Sequence, residues 1–282
     1  MKLYTVSVAE GDWPAAERDG GLIDLAAAGV AASIFDLGRA GEEALRGARS
    51  GVKSAAARRS LEGARLGPPV RPGKVLCSGI NYRGHAIENP NAKMPTEPFF
   101  FAKLPTSIVG MDAPIAHPKL TEKLDYEVEF AVVIGKRLSR APESDVMPAI
   151  FGYTLLNDIS ARDVQFKDNQ ITLGKNFDGF APIGPCIVTA DELPFPDQVR
   201  LMTRLNGRRL QDGSTSDWLF PLPRLIGFLS HVMTLEPGDI VSTGTPAGVG
   251  IFQNPPVFMK PGDVVEIEAE GIGVLRNPIV AS

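Results

Sequence analysis

The chain has 282 residues, of which 44% are hydrophobic and 22% charged, proportions ordinary for a globular protein that buries a substantial core. Its formal net charge of −4 gives no reason to expect nucleic acid or an anionic membrane as partner, and no apolar run approaches the roughly 18 residues of a membrane span. The length fits one large domain, or one plus a small appendage, at roughly 100–200 residues per domain.

The opening Met-Lys-Leu-Tyr-Thr-Val-Ser-Val reads as a strand rather than a signal peptide. Cys77 and Cys186 each sit beside apolar residues, the pattern of buried free thiols in a reducing compartment, so a cytoplasmic protein is expected. Residues 1–35 predict short strands around a turn at Asp19-Gly20-Gly21. Residues 39–62 carry Arg, Glu and Ala at helical spacing and predict one or two surface helices, with Lys53, Arg58 and Arg59 on a solvated face. Neither helix nor strand can traverse Gly67-Pro68-Pro69-Val70-Arg71-Pro72-Gly73 intact. The expected division is therefore a small N-terminal domain over 1–68 and a larger domain over 69–282.

Beyond that boundary, residues 74–80 read as a buried strand that empties into a polar, Asn- and Pro-rich segment running to Pro95, a candidate mobile loop. Within it His85 and Glu88 stand at i, i+3 and would meet on a helical turn. A carboxylate bonded to one imidazole nitrogen fixes the tautomer and raises the basicity of the other, which suits a general base; an exposed structural pair is the plainer alternative. Residues 98–103 predict a strand whose aromatics belong to the core, and His117 is a loop residue without a role.

Residues 125–135, Asp-Tyr-Glu-Val-Glu-Phe-Ala-Val-Val-Ile-Gly, alternate with period 2. Asp125, Glu127 and Glu129 share a face that continues as Ala131 and Val133, so both faces are apolar past Phe130. Two carboxylates about 7 Å apart on such a strand resist desolvation unless a cation or proton sits between them. A comparison lies within the chain: Glu266, Glu268 and Glu270 also alternate, but Gly271 ends the run, and an edge strand with a wet outer face accounts for them. Residues 150–156 form another buried strand, after which Asp158 is placed either as a catalytic carboxylate or as a turn residue. Lys175, between Gly174 and Asn176, either balances an anionic substrate or lies on the surface.

Residues 180–188 return to buried strand, Asn206-Gly207 predicts a two-residue hairpin, and 223–235 an amphipathic helix with a structural His231 near its end. The phrases Glu236-Pro237-Gly238-Asp239 and Lys260-Pro261-Gly262-Asp263 predict two similar turns leading into strands. The loop 243–250, Thr-Gly-Thr-Pro-Ala-Gly-Val-Gly, lacks the Gly-Lys-Ser/Thr ending of a phosphate-binding loop; its amides and Thr245 could hold a small carboxylate. Three carboxylates, a lone Lys and no Cys–His cluster describe a hard-cation site, for Mg²⁺ or Mn²⁺ rather than Zn²⁺.

Four segments, 125–129, 157–163 (Asn-Asp-Ile-Ser-Ala-Arg-Asp), 174–178 (Gly-Lys-Asn-Phe-Asp) and 244–250, resemble in order and spacing the fumarylacetoacetate hydrolase family, over about residues 70–275. The resemblance implies an α+β fold, a β-rich mixed sandwich or roll with a small N-terminal α/β appendage, and a homodimer. It implies Mg²⁺ or Mn²⁺ on Glu127, Glu129 and Asp158, and an oxo-acid substrate held by Lys175, Arg162, Gln165 and Thr245 with Gly244. It also implies that His85 and Glu88 act from a lid. The namesake enzyme carries a further metal-binding Asp near the position of Asn81. That ligand is absent here, so the acylpyruvase and 2-hydroxyhepta-2,4-diene-1,7-dioate isomerase-like branch is the better match. The activity expected is hydrolysis of a C–C bond in a small β-diketo acid, with His85 activating water and Lys175 offsetting negative charge. Isomerisation of a 2-hydroxy-diene-dioate and decarboxylation of oxaloacetate are the alternatives, and a cation-dependent binding protein without catalysis is a third.

Overall fold

The computed structural model describes residues 1–9, 11–56, 59–89 and 93–282. Arg58 of the expected basic face, and residues 90–92 of the expected loop, lie outside these. Strands β1 (Lys2–Val8), β2 (Gly11–Arg18) and β3 (Gly21–Asp24) come first, the last two joined at Asp19 and Gly20. Helices α1 (Ile34–Arg39) and α2 (Gly41–Ser54) follow, then β4 (Val75–Ser78), α3 (Arg83–Glu88) and β5 (Phe100–Lys103). The centre is built of β6 (Val128–Ile134), β7 (Ile150–Asn157), α4 (Arg162–Phe166), α5 (Ile171–Lys175) and β8 (Ala181–Thr189). Strands β9 (Arg200–Leu205) and β10 (Arg208–Ser214), α6 (Leu222–Val232), β11 (Ile240–Ser242), β12 (Val264–Ala269) and β13 (Gly273–Ala281) complete the order.

Among the described residues, a mixed sheet of twelve strands runs β3-β2-β1-β8-β7-β6-β11-β4-β5 along its main path. Every residue of β6, β7 and β8 is buried, as unbroken apolar runs require when a sheet is covered on both faces. Alternation along β6 divides the core: Phe130 and Val132 enter one cluster, Ala131 and Val133 the other. The first cluster is completed by Leu201, Ile267 and Leu275 from a five-stranded sheet, β10-β9-β12-β13 plus Ile115–His117, and by Leu222 and Ile226 of α6. The second is completed by Ile34, Leu37, Ala48 and Val52 of α1 and α2. Residues 1–68, expected as a small N-terminal domain, thus lay β1 against β8 (Leu3↔Ile187) and roof one face of the central sheet. The result is the α+β, β-rich mixed architecture expected of the resembled family.

Register brings the chemistry to one end of the sheet. Glu129 lies opposite Leu156, Ala131 opposite Ser242, and Ser242 opposite Cys77 on the parallel β4. The ends of β7, β11 and β4 and the beginnings of β6 and β8 therefore share one rim.

Three expectations are modified. Residues 125–135 are not one strand: Leu124–Asp125 pairs with Ser160–Ala161, and β6 begins only at Val128. The acidic strand β12 has its expected wet face, with Val265, Ile267 and Ala269 inward, but it is not an edge, since β9 and β13 flank it. For the stretch 39–62, α2 ends at Ser54 and α1 begins earlier than expected, at Ile34. The hairpin forms with Asn206 and Gly207 both at positive φ, 52° and 78°. The two repeated turns are built alike: Asp239 and Asp263 each accept the backbone N–H three residues earlier at 2.7 Å. No helix among the described residues is long and apolar enough to cross a membrane.

Phe130 is fully buried between Tyr153 and Trp218, with ring centroids 5.0 and 6.0 Å away. Phe130→Ala should cost about 3–5 kcal/mol, read as a lower midpoint in urea denaturation.

Candidate active site and metal centre

Glu129 projects from β6 into the rim and is 1% exposed. Glu127 precedes the strand, where the backbone has left the ladder. Its N–H donates to Asn157 Oδ1 at 3.1 Å, and its carbonyl accepts the Asp158 N–H at 3.0 Å. These two bonds clamp the approach to β6 against the exit of β7 and turn the carboxylates toward each other. One oxygen from each of Glu127, Glu129 and Asp158 lies within 4.8 Å of the others, all buried.

Such a cluster survives burial only with opposite charge nearby. Lys175, on the last turn of α5, places Nζ 2.8 Å from Glu127 Oε2 and 2.5 Å from Asp158 Oδ2. Arg162, at the start of α4, donates to Glu127 Oε1 at 2.6 Å and Asp125 Oδ2 at 2.9 Å. Lys103, at the end of β5, places Nζ 2.5 Å from Asp158 Oδ1, outside hydrogen-bonding geometry, while donating to the carbonyls of Lys175 (2.5 Å), Phe180 (2.8 Å) and Ile159 (3.2 Å).

The charges are unevenly shared. Burial alone would raise the Glu127 carboxyl, but Arg162 and then Lys175 overcome it and hold it well below the usual carboxylate range. Glu129 has the hydroxyl of Ser242 as its hydrogen-bond partner; burial, then the charges of Asp158 and Glu127, push it well above that range. For Lys175 burial is outweighed by Asp158 and Glu127, so its pKa rises, whereas burial dominates Lys103 and lowers it.

Four carboxylates (Asp125, Glu127, Glu129, Asp158) thus face three cationic side chains, leaving one negative charge in excess when all are ionised. The residues fit a hard divalent cation. The donors are all carboxylate oxygens, and Glu129 lacks a cationic partner. A cation of charge two would reverse the excess and favour an anionic ligand.

Beside the cluster lies a cavity of about 220 Å³ lined by Glu127, Arg162, Gln165, Lys175 and His85, with Phe99, Phe101 and Phe252 among its apolar walls. His85 and Glu88 share the turn of α3, with Nδ1 2.6 Å from Glu88 Oε1. The helix is docked in place: the Gly84 N–H donates to Asp217 (2.7 Å) and Arg83 to the Trp218 carbonyl (2.9 Å).

The glycine-rich loop holds carboxylates with its amides, but they are the protein's own. The Gly248 N–H donates to Glu88 Oε2 at 2.7 Å; those of Gly250 and Ile251 donate to Asp125 at 2.7 and 3.0 Å. Residue 250 has to be glycine, because a Cβ there would stand 2.0 Å from the Val257 carbonyl and 2.5 Å from Asp125 Oδ1. Thr245 and Gly244 are not on the cavity wall; the Thr245 hydroxyl, buried, accepts from Gln211 Nε2 at 2.8 Å. Gln165 is on the wall, accepting from Arg162 at 3.1 Å.

Of the predicted site residues, Glu127, Lys175, Arg162, Gln165 and His85 line one cavity; Glu129 and Asp158 join Glu127 in the carboxylate cluster, Glu88 holds His85, and Thr245 and Gly244 are off the cavity wall. Sequence reasoning gave no role to Lys103, although a lysine closing an apolar strand has no route to water. It also left out Asp125, which shares the face of Glu127 and ties Arg162 to the glycine-rich loop.

The arrangement sets three buried carboxylates beside a cavity lined by Arg162, Lys175 and His85. Comparison with known proteins narrows the class. The family model for fumarylacetoacetate (FAA) hydrolase C-terminal matches residues 74–280. A mitochondrial oxaloacetate tautomerase, fahd2 of Xenopus laevis, is 42% identical over 243 residues, 85% of this chain and 76% of that protein. The fumarylacetoacetate hydrolase of Exiguobacterium antarcticum superposes with a TM-score of 0.87 at 36% identity over 100% of both chains. A 5-carboxymethyl-2-hydroxymuconate delta-isomerase from Mycobacterium smegmatis does so with a TM-score of 0.79 at 34% identity, over 100% of this chain and 99% of that one. The chain belongs to the fumarylacetoacetate hydrolase family.

A raised Glu129 pKa penalises the metal-free fold only where the unfolded chain would ionise. The penalty is absent below the ordinary value of 4.5 and grows as pH rises toward the folded-state pKa. Glu129→Gln removes it. Chelator-treated Gln variant should therefore outlast wild type in urea at pH 8 and match it near pH 4, while losing its affinity for Mn²⁺ in calorimetry.

Proposed function

We propose that the protein interconverts the keto and enol forms of a small 2-oxo acid of the oxaloacetate type, using Mg²⁺ or Mn²⁺. The observation that carries this reading is the position of His85: its Nδ1 is tied to Glu88, and it lines the same cavity as Glu127 and Lys175. Glu88 is itself fixed by the Gly248 N–H, so the dyad has one orientation. With the proton on Nδ1, Nε2 is the free base.

A divalent cation held by Glu127, Glu129 and Asp158 would supply Lewis-acid polarisation of the substrate's 2-oxo group. His85 Nε2 takes a proton from the carbon next to that group. The C–H electrons become the C=C bond, and the carbonyl π pair moves onto oxygen as an enolate. Return of a proton to that oxygen gives the enol, and the reverse sequence gives the ketone. The Lys175 ammonium offsets the negative charge that develops, and Arg162 keeps Glu127 ionised and in place.

Hydrolysis of a C–C bond, the first expectation from sequence, needs a positioned water and an acid for the departing carbon besides this base. Tautomerisation needs the base alone, and the name of the Xenopus relative supports it. The hydrolase name of the Exiguobacterium neighbour supports the cleavage reading. Both are tested on one preparation with Mg²⁺, by following decay of the oxaloacetate enol absorbance and cleavage of an acylpyruvate. Accelerated enol decay that is lost with chelator supports the proposal; acylpyruvate cleavage without it sinks the proposal in favour of hydrolysis. His85→Ala should retain its Mn²⁺ affinity yet slow enol–keto exchange by roughly 10²–10⁴-fold.

A further inference from the structure

Gln211, in the middle of β10, is fully buried and engages all four hydrogen-bonding positions of its amide. Its Oε1 accepts the Val128 N–H at 3.1 Å and the Thr203 hydroxyl at 2.7 Å. Its Nε2 donates to the Thr245 hydroxyl and to the Pro246 carbonyl, each at 2.8 Å. The amide has one orientation, because the Val128 N–H can only donate and the Pro246 carbonyl can only accept.

These partners belong to the two halves of the site. Val128 stands between Glu127 and Glu129, where the chain enters β6. Thr245 and Pro246 lie early in the glycine-rich loop, whose Gly248 N–H holds Glu88 and through it His85. Strand β10 ends its sheet, paired on one side with β9, and the loop packs against it. The approach is close: a Cβ on Gly213 of β10 would stand 2.4 Å from the Cβ of Pro246. Removing the amide deprives two buried backbone groups of a partner and releases the loop from the strand end that carries the carboxylates.

We infer that Gln211 is a positioning residue, whose amide fixes the segment bearing the metal-binding carboxylates against the loop that orients the His85–Glu88 pair. This rests on the proposed reading of that site. The test compares three variants. Gln211→Met keeps the side chain's length without its bonds, and Gln211→Asn keeps an amide one methylene too short to join the two ends. Thr203→Val removes one bond from the same amide and leaves its links to Val128 and the loop. Each is followed by the kinetics of oxaloacetate enol decay at saturating Mg²⁺, by Mn²⁺ calorimetry and by urea denaturation.

Both Gln211 variants should lose roughly 10–100-fold in kcat with KM little changed, and should bind Mn²⁺ roughly 10-fold more weakly, as misplaced ligands and base imply. Thr203→Val should have a lower urea midpoint yet keep its kcat and Mn²⁺ affinity. A kcat near that of wild type in either folded Gln211 variant overturns the inference, whatever its urea midpoint. So does a Thr203→Val protein that loses as much kcat as the Gln211 variants, because the loss then follows packing alone. Wild type that binds Mn²⁺ without accelerating enol decay overturns the tautomerase reading instead. Mn²⁺ affinity then decides the inference by itself, and an unchanged value in the Gln211 variants overturns it.

Discussion

The site depends on one electrostatic constraint: four carboxylates and three cations gathered within a dry rim of the sheet. Each ion taken from water costs several kcal/mol, and only close, multiply hydrogen-bonded partners offset it. The pairing is redundant where the structure can least tolerate failure. Glu127 is met by both Arg162 and Lys175, and Asp158 by both Lys175 and Lys103. Glu129 alone is left with a hydroxyl, and burial with the neighbouring charges of Asp158 and Glu127 therefore pushes its carboxyl well above the usual range. The incomplete balance at Glu129 is the feature that makes the cluster receptive to a cation instead of a closed ion-pair network.

The fold supports this balance from two directions. Strands buried on both faces give a rigid rim, because β6, β7 and β8 have no solvent-facing side along which to shift register. The glycine-rich loop then closes the far side with backbone amides. By holding Asp125 and Glu88 it fixes Arg162 on one flank of the cavity and His85 on the other. A loop that binds the protein's own carboxylates thereby orients both Arg162 and His85.

Much of this was legible in the sequence, for physical reasons. Glu127 and Glu129 stood out because apolar Ala131 and Val133 continue their face, and that continuation implies burial. The same logic separated them from Glu266 and Glu268, whose strand does keep a wet face although it lies inside its sheet rather than at the edge. Asp158, at a strand end, read equally as a catalytic carboxylate or a turn residue, and only the family resemblance set it beside Glu127 and Glu129. What one sequence could not reveal was pairing over long separations: Lys103 with Asp158 across 55 positions, Arg162 with Asp125 across 37, Asp125 with the loop at Gly250 across 125. The loop's amides were expected to take an external carboxylate, and internal ones had a stronger claim because they are tethered. Hydrolysis was favoured on the His–Glu pair, yet a base held in one tautomer serves any reaction that begins by removing a proton.

Charge also bears on which chemistry suits the cavity. A divalent cation in the cluster turns one excess negative charge into one positive, which a substrate carboxylate would neutralise. Ionisation next to the oxo group then adds one negative charge beside Lys175 and Arg162, whose positive charges are held permanently by their acidic partners. The site is thus preorganised for a ligand that gains a single negative charge, and it requires little solvent reorganisation when that charge forms. Enolisation of a 2-oxo acid is such a change, shared by tautomerases, isomerases and C–C hydrolases alike. Under the proposed reading, the apolar walls at Phe99, Phe101 and Phe252 would meet the rest of the substrate.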